Sequence, residues 1–107
     1  MTDGFSSITV VPSTATAKDN TDVVVDNTVG GVVLLPKNVH RRSALIVNTG
    51  AGAMRVTTDG SAPTSTHGKP VVVGGALALS GPDCPTEAVK AIRQDATDTT
   101  ANASEVF

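Results

Sequence analysis

Hydrophobic residues along this chain fall into short runs that are separated by Gly, Pro, Asn and Asp. The clearest runs are residues 43–49, which are apolar on both faces of a strand, and residues 54–58, which alternate between apolar and polar. A strand that is apolar on both faces belongs in the interior of a sheet, whereas an alternating strand is half-buried. Residues 50–53 contain two glycines, which can take the positive φ angles of a short connection. The pattern predicts an antiparallel β-hairpin.

Six further runs have the length and composition of short strands. They are residues 7–11, 21–26, 31–36, 70–73, 76–80 and 105–107. Residues 74–75 are both glycine and fit a tight turn between two of these runs. Residues 95–104 are polar and rich in threonine, so we place the closing strand after them.

The segment of residues 86–94 is compatible with two structures. Its composition suits a helix, and Val89 and Ile92 have the i, i+3 spacing of one helix face. We favour a strand, because a single helix of this length would be hard to place in a succession of short strands. About eight short strands, separated by turn residues at intervals of about ten residues, predict an all-β fold. The architecture is an antiparallel β-sandwich or a jelly-roll-like barrel.

A chain of 107 residues is long enough for one domain. We assign residues 21–107 to a single β-sandwich domain. Residues 1–20 contain the first strand and a polar segment, which is either an ordinary loop or part of an extended arm that anchors the protein on a partner. The two aromatic residues, Phe5 and Phe107, lie near the ends, so the core must be filled by aliphatic side chains that bury less area each. Burial against other subunits is therefore plausible.

Charge and cysteine content exclude several classes of function. The formal net charge is −2, and without a basic patch we expect no nucleic-acid binding. The single cysteine, Cys84, cannot form an intrachain disulfide and is expected to be a small buried hydrophobic residue. No apolar run approaches the length of about 20 residues that a membrane helix needs, and the N-terminus lacks signal-peptide features. We expect production in the cytoplasm and no membrane association.

Groups that could carry out catalysis are few and scattered. His40 and His67 lie in predicted loops without a second ligand at metal-binding spacing, and no nucleophile-elbow motif occurs. Asp95, Asp98 and Asn102 offer oxygen ligands but lack the glycine and glutamate of a calcium loop. We therefore predict a binding or structural protein and not an enzyme, with no catalytic residue, cofactor or metal site.

Partner binding is assigned to two groups of residues. One group is apolar and lies near the ends of the chain. The other belongs to the cationic segment of residues 37–42, which either docks on an acidic surface or is a solvated loop. The candidates are Phe5, Ile8, Lys37, His40, Arg41, Arg42 and Phe107.

The second half of the chain carries an ordered set of core and turn residues. It reads Arg42-x-x-Leu45-x-Val47-x-Thr49-Gly50, Met54-Arg55-Val56, Gly68-x-Pro70, Gly74, Leu77-x-Leu79-x-Gly81 and Ala88-Val89-x-Ala91-Ile92. This order resembles that of small β-sandwich structural proteins of tailed-bacteriophage virions, over about residues 41–107. One departure is the long polar stretch before the last strand.

The resemblance implies a non-enzymatic component of a virion. The expected role is a capsid decoration (cement) protein, which is made in the host cytoplasm and binds the outside of a phage head. The implied partners are the major capsid protein or other virion proteins, together with further copies of this chain, as a trimer. The alternatives are a small neck, tail or fibre component, or a host-recognition β-module with the loop of residues 59–70 as its binding surface.

Overall fold

The computed structural model describes residues 16–19, 21–82 and 84–107, which form nine β-strands in two antiparallel sheets. The strands are β1 Ala17–Asp19, β2 Val23–Val25, β3 Val32–Leu35, β4 Ser43–Asn48, β5 Met54–Thr57, β6 Lys69–Val71, β7 Ala76–Ser80, β8 Val89–Arg93 and β9 Thr99–Val106. The all-β prediction is confirmed, and two facing sheets make the fold a β-sandwich. In this part of the chain no helix is long and apolar enough to cross a membrane.

Strand order divides the chain between the two sheets. The first sheet runs β1-β9-β4-β7, and β2 pairs with another part of β9. The second sheet runs β3-β8-β5-β6. The run that is apolar on both faces, β4, lies between β9 and β7, so its predicted interior position is confirmed. The alternating strand β5 lies between β8 and β6, with Met54 and Val56 fully buried.

The predicted hairpin of β4 and β5 is wrong, because the two strands belong to different sheets. The connection crosses from one layer to the other, so Ile46 and Met54 enter the same core cluster from different sheets instead of lying side by side. Gly50 and Gly52 do not have positive φ angles. Both suit glycine because the backbone around the start of β9 lies against them: a Cβ on Gly50 would be 2.3 Å from Thr100 N, and one on Gly52 would be 2.5 Å from the carbonyl oxygen of Thr97.

The connection from β6 to β7 also crosses between the sheets. The predicted turn is present: Gly75 N–H donates to Val72 O over 2.8 Å, and Gly74 has a φ of 77° that suits glycine. The strands on either side of it pair with different partners, β6 with β5 and β7 with β4. Two neighbouring crossovers therefore fix how the two sheets stack.

The space between the sheets is filled by aliphatic side chains, Met54 and Cys84. Among the described residues the buried core consists of Val25, Leu34, Leu35, Ala44, Ile46, Met54, Val56, Val71, Leu79, Cys84, Val89, Ala91, Ala101 and Ala103. This agrees with the predicted aliphatic core and with the predicted burial of Cys84.

The C-terminal region contains one confirmed prediction and one correction. Val89–Arg93 is a strand, as favoured over a helix. The closing strand is much longer than predicted, because β9 begins at Thr99 and alternates buried and half-buried residues throughout. Its inward positions include Ala101 and Ala103, whose small side chains do not produce a strong hydrophobic pattern. The first predicted strand, residues 7–11, lies outside the described residues. Part of the polar segment after it forms β1 and pairs with β9.

Candidate functional site

The outer face of the second sheet is partly covered by the loop of residues 58–68. Pro63 of this loop is fully buried. It lies so close to Gly31 that a Cβ there would be 2.6 Å from the proline ring, and Gly31 has a φ of 85°. The Thr57 hydroxyl donates to Ser61 O over 2.6 Å, and Arg55 Nη1 donates to Gly68 O over 3.0 Å. The loop therefore packs as a fixed layer on this sheet.

Short hydrogen bonds within the loop involve Asp59. Its Oδ1 accepts from the Ser61 hydroxyl at 2.5 Å and from Ser61 N–H at 3.0 Å. The Ser61 hydroxyl also lies 3.1 Å from His67 Nε2. These two bonds from Ser61, in that order, hold the pKa of Asp59 below its ordinary value, with a smaller contribution from the charge of His67.

Replacing Ser61 by alanine should raise the pKa of the Asp59 carboxyl group toward its ordinary value. Because folding lowers this pKa, the interaction stabilises the loop at pH above the ordinary aspartate pKa and is lost as pH falls through the lowered value. NMR titration of the Asp59 carboxyl carbon measures the change. Ser65→Ala, in the same loop, is the control and should leave it unaltered. An unchanged Asp59 pKa in S61A would contradict the interaction.

The outer face of the first sheet, bordered by the Asp22 carboxylate that accepts from Asn102 Nδ2 and from the Thr49 hydroxyl over 3.0 Å each, is the candidate binding surface. It is made of small, uncharged residues that share one side of β4, β7 and β9. They are Ser43, Leu45, Val47, Ala76, Ala78, Ser80, Thr100, Asn102, Ser104 and Val106. Leu45 lies at the centre, between Ala78 and Ser104, and is 43% exposed. We call these ten residues the neutral face. Because these ten residues are uncharged, a partner can cover them at little electrostatic desolvation cost, except beside the Asp22 carboxylate.

The cationic segment of residues 37–42 lies at one end of the neutral face, because β4 begins at the next residue. The assignment of Arg41 to partner binding needs correction: this side chain is buried, and its Nε lies 2.9 Å from Glu105 Oε1. Its remaining donors reach the carbonyl oxygens of Pro36, Pro85 and Glu87 at 2.8 to 3.0 Å. Arg41 therefore joins three segments inside the fold.

The other candidates in this segment are exposed. Lys37 forms a solvent-accessible ion pair with Glu87 over 3.4 Å. His40 and Arg42 are exposed, so they remain candidates for partner contacts. Phe107 is half-buried, and its N–H donates to Thr16 O over 2.8 Å. Phe5 and Ile8 lie outside the described residues.

Asn48 positions the neutral face and was not singled out by the sequence. Its Nδ2 donates to Gly52 O at 2.8 Å and to Val71 O at 3.0 Å. Its Oδ1 accepts from the Thr99 hydroxyl at 2.7 Å and from Gly50 N–H at 3.2 Å. This one buried amide therefore contacts both crossovers and the start of β9. The available sequence signal is an asparagine at the end of an apolar strand, just before a glycine-containing connection.

A second surface feature is an open cleft of about 490 Å³ at the edge of the second sheet. Its walls come from the turn after β2, the loop of residues 58–68 and the end of β8, and include Val29, Pro63 and Ile92. Val29 is 96% exposed. In residues 16–19, 21–82 and 84–107, no group of three or more His, Cys, Asp or Glu side chains could hold a metal ion.

Comparison with protein-family models and with curated proteins finds no match for this chain.

Proposed function

We propose that this chain is a non-enzymatic structural protein of a virion, specifically a capsid decoration (cement) protein that binds the outside of a phage head. The observation that carries the proposal is the asymmetry of the sandwich. One outer face carries the protein's own loop, with Pro63 buried, and is only partly exposed at Val33, whereas the neutral face presents short, uncharged side chains around the half-exposed Leu45. The resemblance to small virion proteins supports the same role, since its residues occupy strand and turn positions of this sandwich.

The neutral face suits tight attachment to a flat protein surface. Its side chains are short, so the strands can approach a partner closely without ordering long charged side chains. A stable protein interface buries about 800 Å² per partner, which requires most of one face of a small domain. The exposed Arg42 and the ion-paired Lys37 at one end, with the exposed His40 between them, would orient the encounter with an acidic patch of the major capsid protein. Each attached copy stabilises the shell by mass action.

Replacing Leu45 by glutamate should reduce the affinity for a capsid at least about tenfold, so that binding no longer saturates at concentrations that saturate the unaltered protein. The charge would be placed at the centre of the buried contact, where it loses its water without a partner. The measurement is co-sedimentation of purified protein with expanded, undecorated capsids, scored by stoichiometry at saturation.

Val33→Glu is the matched control, because Val33 is 49% exposed but lies on β3 of the second sheet. It should bind as the unaltered protein does. No saturable binding of the unaltered protein at a fixed stoichiometry would contradict the proposed function. Equal loss in V33E and L45E would contradict the assignment to the neutral face.

A host-recognition module is the alternative function that a feature of the structure supports. The cleft beside Val29 is open, and part of its wall comes from the long loop. Binding of the isolated protein to cells or glycans, lost in Val29→Glu and retained in Leu45→Glu, would favour this alternative. A neck, tail or fibre position would instead be shown by binding to those assemblies and not to capsids.

A further inference from the structure

Open strand edges differ in how well they are protected against pairing with another chain. In the second sheet, edge strand β6 contains Lys69 and Pro70, and edge strand β3 has a register shift between Val33 and Leu35. In the first sheet, β1 and β2 at one edge have three residues each. Short length, lysine, proline and an irregular register are the usual means of blocking an edge.

The remaining edge, β7, has none of these features. Its five residues, Ala76–Ser80, read Ala-Leu-Ala-Leu-Ser, without charge or proline, and they pair with β4 in one continuous register. No described strand pairs with its other side. β7 also borders the neutral face, where Ala76, Ala78 and Ser80 are exposed.

The hydrogen bonds that β4 makes with its two neighbours show which backbone groups of β7 point toward the open edge. Asn48 N–H donates to Gly75 O on the β7 side, whereas Thr49 N–H donates to Thr100 O on the β9 side. In an antiparallel sheet, the backbone N–H and C=O groups of alternate residues bond to the strands on opposite sides. The backbone groups of Ile46 and Ala44 therefore face those of Leu77 and Leu79, respectively. The N–H and C=O groups of the other β7 residues, Ala76, Ala78 and Ser80, are directed at the open edge.

We propose that two copies of this chain pair through β7, antiparallel and in register about a twofold axis at Ala78. Ala76 then lies opposite Ser80 of the second copy, and Ala78 lies opposite its own counterpart. Three facing pairs exchange about six hydrogen bonds, since each such pair forms two. On the outer side only Ala76, Ala78 and Ser80 face each other across the junction, and on the inner side Leu77 lies opposite Leu79 of the second copy. All of these side chains are uncharged, so no like-charge repulsion opposes the pairing. A contact of this kind is self-complementary, as twofold symmetry requires.

Pairing joins two five-stranded sheets and makes the two neutral faces continuous. The occupant of the edge is a second copy in a dimer, and not the trimer that the resemblance implies. The inference does not depend on a capsid as partner, because it concerns only contacts between copies of this chain.

The test uses sedimentation equilibrium on Ala78→Lys, Ala78→Glu and a 1:1 mixture of the two. Unaltered protein should have twice the monomer mass of 10.7 kDa. Because residue 78 faces itself across the axis, each variant alone places two like charges together and should dimerise at least about tenfold more weakly. The mixture should recover the dimer, because lysine then faces glutamate. A dimer formed by packing the two neutral faces together is not expected to recover in this mixture, because residue 78 need not lie opposite itself.

Ser104→Lys is the control, because it places the same charge on the neutral face two strands away from the edge. It should retain the dimer. Backbone hydrogen exchange gives a second measurement: the amides of Ala78 and Ser80 should gain protection as concentration rises, whereas those of Leu77 and Leu79 are protected at every concentration.

Four outcomes would overturn the proposal. The first is that the unaltered protein stays monomeric at every concentration up to about 1 mM. The second is that Ser104→Lys dissociates the dimer and Ala78→Lys does not. The third is that the mixture of Ala78→Lys and Ala78→Glu stays monomeric, and the fourth is that deletion of residues 1–15 abolishes the dimer. The last result would assign the contact between copies to the N-terminal segment instead of to β7. Circular dichroism of each variant establishes that its fold is retained.

Discussion

Asn48→Ala should lower the free energy of unfolding by about 3 to 5 kcal/mol. Asn48 is almost fully buried, and its amide forms four hydrogen bonds, two as donor and two as acceptor. Alanine leaves three buried polar groups and the part-buried Gly50 N–H without that partner, and each buried group costs about 1 to 3 kcal/mol. A water molecule entering the vacated space would restore some of these hydrogen bonds, so the expected loss of stability is smaller than the summed cost of the unpaired groups. Urea denaturation followed by circular dichroism measures it.

Asn27→Ala is the control for this prediction, because Asn27 is exposed in the turn after β2. It should change the free energy of unfolding by less than about 0.5 kcal/mol. Asn48→Asp tests the donor role separately: it keeps the shape of the side chain but cannot donate to Gly52 and Val71 while ionised. It should be at least as destabilising as Asn48→Ala near neutral pH. A loss below about 1 kcal/mol in N48A would contradict the role of Asn48 in holding the crossovers.

Arg41→Met should destabilise the fold by a similar amount, about 3 to 5 kcal/mol. Arg41 and Glu105 are 4% and 5% exposed, and methionine would leave the Glu105 carboxylate buried without its cation. The backbone carbonyls of Pro36, Pro85 and Glu87 would also lose a donor. Because the pair is buried, the loss should change little with salt concentration.

Two further variants separate the buried charge from the lost packing. Removing both charges, in the double variant with Arg41→Met and Glu105→Leu, should recover part of the stability, since an apolar pair avoids an unpaired carboxylate. Lys37→Met breaks the exposed pair with Glu87 and should change stability by about 1 kcal/mol or less. Equal stability of Arg41→Met and the unaltered protein would restore Arg41 as a candidate for partner binding.

The candidate surface could be predicted only in part. Alternation along β4 shows that Leu45 and Val47 share one side and that Ala44 and Ile46 share the other. Side-chain size would favour burial of the leucine. The structure buries Ala44 and leaves Leu45 half exposed, because the first sheet turns the side of Ala44 and Ile46 toward the second sheet. The choice of face depends on how the layers stack, and no local pattern contains that information.

The sequence by itself determined the all-β class, the aliphatic core and the position of most strands. These depend on local properties: β-branched and aliphatic runs favour strands, and Gly, Pro, Asn and Asp end them. β7 was placed at its observed bounds, and β8 was correctly favoured as a strand over a helix.

Only the tertiary structure decided which strands are neighbours. The adjacent runs β4 and β5 lie in different sheets, whereas Ala44 pairs with Glu105 at the far end of the chain. Alternation of apolar and polar residues shows which side of a strand is buried, but it does not show which strand lies beside it. The same distant pairing buries Arg41 against Glu105 and brings Thr99 to Asn48. Arg41, which the sequence assigns to a partner-binding surface, is therefore internal, because its partner Glu105 comes from a remote segment.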